Sequence, residues 1–251
     1  MFRKIILKAL QPVRKWLVPE LPVEQQFLDF DPEFWPLYYQ CRPFTMTSPE
    51  RLYALYKAVN YAILRGIAGD FVECGVWRGG SAMMMVLTLL RHGIRDRKIF
   101  LYDTFEGMSA PTEKDQDRTG RPADQLLAES DRSDAAGIWC ISPLEEVQSN
   151  LAGTGYPMEN IRLVRGKVED TVPSVAPSSI SVLRLDTDWY ESTRHELIHL
   201  YPLLAQGGVL IIDDYGFWQG ARRAVDEYFQ EPGRGILLNR IDATGRIAVR
   251  S

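Results

Sequence analysis

The apolar positions of the chain fall into short, nearly continuous blocks, set between stretches in which apolar residues recur every three or four positions. Residues 71–76, 98–103, 161–166, 181–185 and 208–212 are blocks rich in Val, Ile, Leu and aromatic side chains, a composition that predicts strands covered on both faces. Between them, Leu52, Leu55, Tyr56, Val59, Ile63 and Leu64 mark one face of a helix running to about Ala68. Ser48 and Pro49 supply its cap and its first residue. Further helices are predicted over residues 82–90, 143–152, 191–205 and 218–229. Residues 236–241 and 246–249 flank a turn at Asp242-Ala-Thr-Gly245 and predict a closing hairpin. Strand and helix alternate almost throughout, so the pattern predicts an α/β fold with a mostly parallel sheet and an antiparallel finish.

Two of the blocks stop at acidic residues: the first at Asp186 and Asp188, the second at Asp213 and Asp214. A right-handed crossover makes these strands parallel, so all four carboxylates emerge on the carboxyl edge of one sheet, where open α/β folds bind ligands. Carboxylates gathered there repel one another, and oxygen donors without nitrogen or sulfur suit a hard cation such as Mg²⁺. The competing assignment makes Asp188 only the cap of the following helix. The first strand block ends in Glu73-Cys-Gly75 and passes through Gly79 and Gly80 to Ser81. Such a turn lets a ligand approach backbone N–H groups near a helix N-terminus. Its spacing departs from GxGxxG, which favours a nucleoside ligand other than NAD. Asp103 ends the next strand, where an acid accepts ribose hydroxyls. Phe105 after it either stacks on a purine or closes the local core, and Glu169 follows the third strand on the same edge.

Composition narrows the partners. At 251 residues with 45% hydrophobic and 25% charged residues, the chain fits one large domain with an N-terminal extension. A net charge of -4 speaks against nucleic-acid binding and for small molecules. Cys41, Cys74 and Cys140 are widely spaced without a CxxC pair, which fits a reducing cytoplasm and suggests neither a disulfide framework nor a zinc-thiolate site. Phe2, Ile5, Ile6, Leu10, Val13 and Leu17 form a stripe beside five basic residues, interrupted by Pro12. That basic amphipathic helix is suited to a membrane surface, to the domain itself or to a second copy of the chain. Residues 18–49 are rich in Pro and aromatics and predict an irregular arm, so the boundary is set between an arm over residues 1–47 and a domain over residues 48–251. The polar stretch 109–141 predicts a long loop with a short helix, either a lid or a solvated insertion.

With Phe71-Val-Glu-Cys-Gly-Val-Trp-Arg-Gly-Gly-Ser81, Leu101-Tyr-Asp-Thr-Phe-Glu-Gly-Met108, Leu185-Asp-Thr-Asp-Trp-Tyr-Glu-Ser192 and Ile212-Asp-Asp-Tyr215 in view, the chain resembles the macrocin O-methyltransferase family from about Ser48 onward. The resemblance implies a class I, three-layer Rossmann-like methyltransferase fold with a seven-stranded sheet. It implies methyl transfer from S-adenosylmethionine to sugar hydroxyls of natural products, and a homo-oligomer is expected. It places the cofactor over Glu73, Gly75 and Ser81, with Asp103 on its ribose and Phe105, Glu169 and Asp186 around it. Asp186, Asp213 and Asp214 would hold Mg²⁺, and Asp188 would be the general base. Three other functions compete. A catechol acceptor uses similar metal chemistry, and a methyltransferase fold can bind nucleoside without transfer. His195-Glu196-Leu-Ile-His199 also matches the HExxH zinc-protease pattern, on the crossover helix and away from the sheet edge.

Overall fold

The computed structural model describes residues 22–134 and 137–251. The basic stripe over residues 2–17 lies outside them. The described chain falls into two compact units, divided between Trp35 and Pro36, so the larger unit already begins at Pro36, upstream of Ser48. The smaller one contains a short helix α1 (Val23–Gln26) and an aromatic cluster in which Phe27 and Phe30 stack at 4.7 Å, with Trp35 beside them. Helix α2 spans Phe34–Cys41.

In the larger unit, seven strands form one sheet: β1 (Asp70–Cys74), β2 (Ile99–Asp103), β3 (Ile161–Arg165), β4 (Ile180–Leu185), β5 (Leu204–Ile212), β6 (Asn239–Arg240) and β7 (Arg246–Val249). Their spatial order is β3-β2-β1-β4-β5-β7-β6. The first five are parallel, and β7 runs antiparallel to β5 and β6. The predicted parallel sheet and antiparallel hairpin are both present. The order reverses between β1 and β4, and the crevice at that switch lies outside the carboxyl ends of both strands.

Helix α3 (Pro49–Leu64) starts where the cap signal puts it, with the Ser48 hydroxyl accepting from Arg51 N at 3.2 Å. It ends before Gly66, whose positive φ stops the helix short of the expected Ala68. Helix α4 (Gly80–Arg91) is nearly all buried, including Met83, Met84 and Met85. The opposite face of the sheet is covered through Leu183, Leu185, Leu210 and Ile212, which join Leu197, Val225 and Tyr228 in one apolar cluster. Burying each such side chain contributes about 1.5–3 kcal/mol.

The polar stretch 109–141 is a packed element and not a solvated insertion. It contains α5 (Ala123–Glu129), and Ala123 and Leu127 pack with Trp189, Trp218 and Ala221. Helices α6 (Leu144–Ala152) and α7 (Val168–Thr171) flank β3 in sequence. The crossover helix α8 (Tyr190–His199) is shorter than expected, and β5 longer. The Gly207-Gly208 pair, between the predicted helix over residues 191–205 and the apolar run of block 208–212, lies inside β5. There Gly207 N donates to Arg250 O, and Arg250 N donates back to Gly208 O. Helix α9 (Gln219–Gln230) then packs against α8. Among the described residues no helix is long and apolar enough to cross a membrane.

Asp115 holds the insertion to the crossover helix. The Tyr190 N–H at the start of α8 donates to its Oδ1 at 2.7 Å, and Thr112 donates to Oδ2 through both N–H and hydroxyl. Asp115 therefore caps α8, and the competing assignment of Asp188 as that cap falls away. Loss of a cap of this kind costs about 0.5–2 kcal/mol. Asp115→Ala is expected to lower stability by that amount in thermal unfolding and to raise proteolytic cutting within residues 109–130.

Candidate active site

The site grows from the register of three strands. Glu73 on β1 pairs opposite Arg184 on β4, and Cys74 opposite Leu185. Arg184 pairs opposite Ile211 on β5. The next residues out along the strands are therefore Gly75, Asp186 and Asp213, all at the carboxyl edge. Asp186 N donates to Cys74 O at 2.8 Å and Asp213 N to Leu185 O at 2.9 Å, which continues the sheet ladder into the site.

Gly75 has φ +82, and a Cβ there would lie 2.0 Å from the Asp186 carbonyl oxygen. Only glycine lets the β1 turn pass so close to the acidic strand end. Gly75→Ala adds a clash to about 1–2 kcal/mol of backbone strain. It is expected to lower the melting temperature; a variant that melts with the wild type would contradict this close approach.

Arg184 is the buried cation of the site. Its Nη1 donates to Glu73 at 2.6 Å and Asp186 at 2.7 Å, and its Nη2 to Asp213 at 2.5 Å. Arg51, from the first turn of α3, takes the other oxygen of Asp213 and reaches Asp242 in the hairpin turn at 3.1 Å. Buried carboxylates need such partners. Burial nevertheless pushes Glu73 up to about 7, against the pull of Arg184.

Three acids form a close group, of which only Asp186 is paired with Arg184. Asp186, Asp188 and Asp214 each offer an oxygen, and these oxygens lie within 4.8 Å of one another. Asp214 Oδ2 is buried without a hydrogen-bond partner. Burial holds Asp186 and Asp214 well above the usual carboxylate range, opposed at Asp186 by Arg184 and aided at both by neighbouring aspartates. Burial also raises Asp188 to about 7, opposed by a hydrogen bond with Asp214 and aided by Asp186 and Asp213. Asp188 adopts φ +68, a left-handed conformation that Asp tolerates better than most residues.

These groups open onto a cavity of about 550 Å³. Gly75, Ser81, Asp103 and Glu169 line one part of it, and Asp186, Asp188, Asp213 and Asp214 another. Two expected cofactor contacts lie elsewhere. Glu73 is 1% exposed behind the wall, committed to Arg184, and Phe105 is buried and forms no part of the lining. Asp103 lines the cavity while its oxygens hold the loops together. Oδ2 accepts from Val76 N and Trp77 N, and Oδ1 from Phe105 N, at 2.7–3.1 Å. Of the acids expected to hold Mg²⁺, Asp186 and Asp214 lie in the close cluster and Asp213 lies outside it. Both oxygens of Asp213 are taken by arginines, and Asp188 completes the close cluster instead.

Arg51, Thr47 and Trp218 line the cavity and were not picked out from sequence. The one local signal for this network was Arg184, a charge inside an otherwise apolar block. The HExxH pair holds no metal-like cluster among the described residues. His195 Nε2 bonds Val172 O at 2.8 Å, and the rings of His195 and His199 pack at 4.3 Å.

Comparison with known proteins decides the family. Residues 30–249 match the model of Macrocin-O-methyltransferase (TylF). The chain belongs to the macrocin O-methyltransferase family. It is 35% identical over 201 residues to the 8-demethyl-8-(2,3-dimethoxy-alpha-L-rhamnosyl)-tetracenomycin-C 4'-O-methyltransferase of Streptomyces olivaceus, covering 80% of this chain and 73% of that protein. It is 33% identical to the mycinamicin III 3''-O-methyltransferase of Micromonospora griseorubida, covering 80% and 76%. The solved structure of the O-methyltransferase NovP superposes with a TM-score of 0.72 at 33% identity, covering 83% of this chain and 82% of that one. As a macrocin O-methyltransferase family member, the protein is an S-adenosylmethionine-dependent O-methyltransferase.

Proposed function

We propose that the protein methylates a sugar hydroxyl of a glycosylated natural product and that it does so with Mg²⁺ bound at the carboxyl edge of the sheet. The carrying observation is that the glycine turn at Gly75 and the carboxylates Asp186, Asp188 and Asp214 open onto one cavity. The sugar assignment is supported by the relatives, one of which carries a rhamnosyl group in the name of its substrate. The metal assignment rests on the acid cluster and the unpartnered Asp214 Oδ2, a donor set of oxygens alone that suits a hard divalent ion.

In this reading Gly75, Ser81, Asp103 and Glu169 surround the cofactor, and Glu73 acts from behind by fixing Arg184. Asp186 and Asp214 would hold the metal, joined by Asp213 where Arg51 yields. When bound, the ion supplies positive charge that lowers the pKa of an acceptor hydroxyl. Asp188 takes the hydroxyl proton as general base. The acceptor oxygen then bonds to the methyl carbon as the carbon–sulfur bond breaks, and the sulfonium becomes a neutral thioether. Trp189 and Trp218, 4.9 Å apart and edge to face, border the same cavity as part of its apolar wall.

Calorimetric titration of S-adenosylhomocysteine and of Mn²⁺ into the wild type and Asp214→Asn tests this arrangement. The expected result is unchanged nucleoside binding with Mn²⁺ affinity reduced at least about tenfold in the variant. Equal Mn²⁺ binding in both proteins would remove the metal from this edge.

A further inference from the structure

We propose that Glu196 is a positioning residue of the active site, anchoring the turn Asp186–Thr187–Asp188 to helix α8; the inference rests on the methyltransferase reading above. Glu196 belongs to the HExxH segment, yet its carboxyl group faces away from the histidine pair. It is fully buried, 0% exposed, under the acidic strand end. Its Oε1 accepts from the Thr187 hydroxyl at 2.9 Å, and its Oε2 is buried with no hydrogen-bond partner.

Thr187 stands between the two site aspartates, so whatever fixes it fixes both. Its carbonyl is also claimed by the same helix start, accepting from Trp189 N at 2.7 Å and from the Ser192 hydroxyl at 3.4 Å. Side chain and main chain of Thr187 are thus both tied to α8 and its cap. Directly after it, Asp188 turns into its left-handed conformation. The Cys74 thiol at the end of β1 lies against the Glu196 carboxyl, so one buried group touches both strand ends that frame the crevice.

Burial favours the neutral form of this carboxyl. It drives the pKa well above the ordinary range, opposed by the Thr187 hydrogen bond and the neighbouring Cys74 thiol and aided by the charges of Glu169 and Asp186. A protonated acid keeps a carbonyl oxygen for Thr187 and presents its O–H to the sulfur, a weak acceptor. Glutamine reproduces both functions, and leucine reproduces neither. Misplacing a reacting group by about 1 Å can cost about 10²-fold in rate. A loosened turn therefore acts on kcat more than on cofactor binding.

The test is steady-state kinetics on Glu196→Gln, Glu196→Leu, Thr187→Val and the Thr187→Val/Glu196→Leu double variant. Glu196→Gln is expected to keep kcat within about twofold of wild type, while Leu and Val each lower it about tenfold or more with KM for S-adenosylmethionine little changed. Because both single changes break one contact, the double variant falls no further than the worse single. Losses that multiply, a Gln variant as impaired as Leu, or a loss confined to KM would overturn the proposal. If Glu196→Leu does not fold, Thr187→Val decides: a full wild-type kcat in that variant overturns the anchor. Wild-type inactivity on every acceptor would count against the proposed function instead. A crystal structure of Thr187→Val then reads the anchor without turnover, a displaced Asp188 supporting it and an unmoved one refuting it.

Discussion

Asp188→Asn is expected to lower kcat for methyl transfer by about 10²–10⁴ while leaving the KM for S-adenosylmethionine and the melting temperature close to wild type. The asymmetry follows from where Asp188 stands. Its backbone is left-handed at φ +68, and Asn adopts that conformation as readily as Asp, so the turn survives the exchange. The amide cannot accept the hydroxyl proton, so only the chemistry is lost. Helix α8 is unaffected, because Asp115 and not Asp188 caps it. A loss below about tenfold would show that another group removes the proton.

Arg184→Met is expected to be the most destabilising single change in the site, by about 3–5 kcal/mol. The guanidinium is 3% exposed and serves Glu73, Asp186 and Asp213 at once. Removing it leaves Glu73 without its cation at 1% side-chain exposure, although Arg51 still reaches Asp213. For a chain of this size the cost corresponds to a melting temperature lower by on the order of 10 °C. Pairing the change with Glu73→Gln removes the stranded acid and is expected to restore part of the loss. A single variant melting within a few degrees of wild type would mean that the carboxylates find protons or water without the arginine. An absence of rescue in the double variant would assign the cost to packing.

Much of this site was legible in the order of residues, because the relevant physics is local. Runs of branched apolar residues ending in acids mark the carboxyl ends of β4 and β5, and a handed crossover puts those ends side by side. Gly75 was legible for a similar reason, since a strand that turns beneath a ligand needs a residue without a Cβ. The division of labour among the acids was not legible. Asp213 and Asp214 are adjacent in sequence, yet one meets Arg51 and Arg184 while the other keeps a bare oxygen. Arg51 comes from a helix 162 residues away in sequence, and no spacing rule links the two. The bounds of α8 and β5 were not legible, because glycines usually end elements, whereas pairing to Arg250 holds Gly207 and Gly208 within the strand. Phe105 was equally hidden, since an aromatic after a strand can face a ligand or the core, and here it turns into the core.

The central claim is metal-assisted methylation of a sugar hydroxyl. The most direct test is mass spectrometry of the products formed from S-adenosylmethionine and matched pairs of glycosides and their aglycones, with Mg²⁺ or with a chelator. The account predicts one added methyl group on the sugar of a glycoside, formed with Mg²⁺ and lost with the chelator, and no product from the aglycone. Methylation of the aglycone, or transfer undiminished by the chelator, would contradict it.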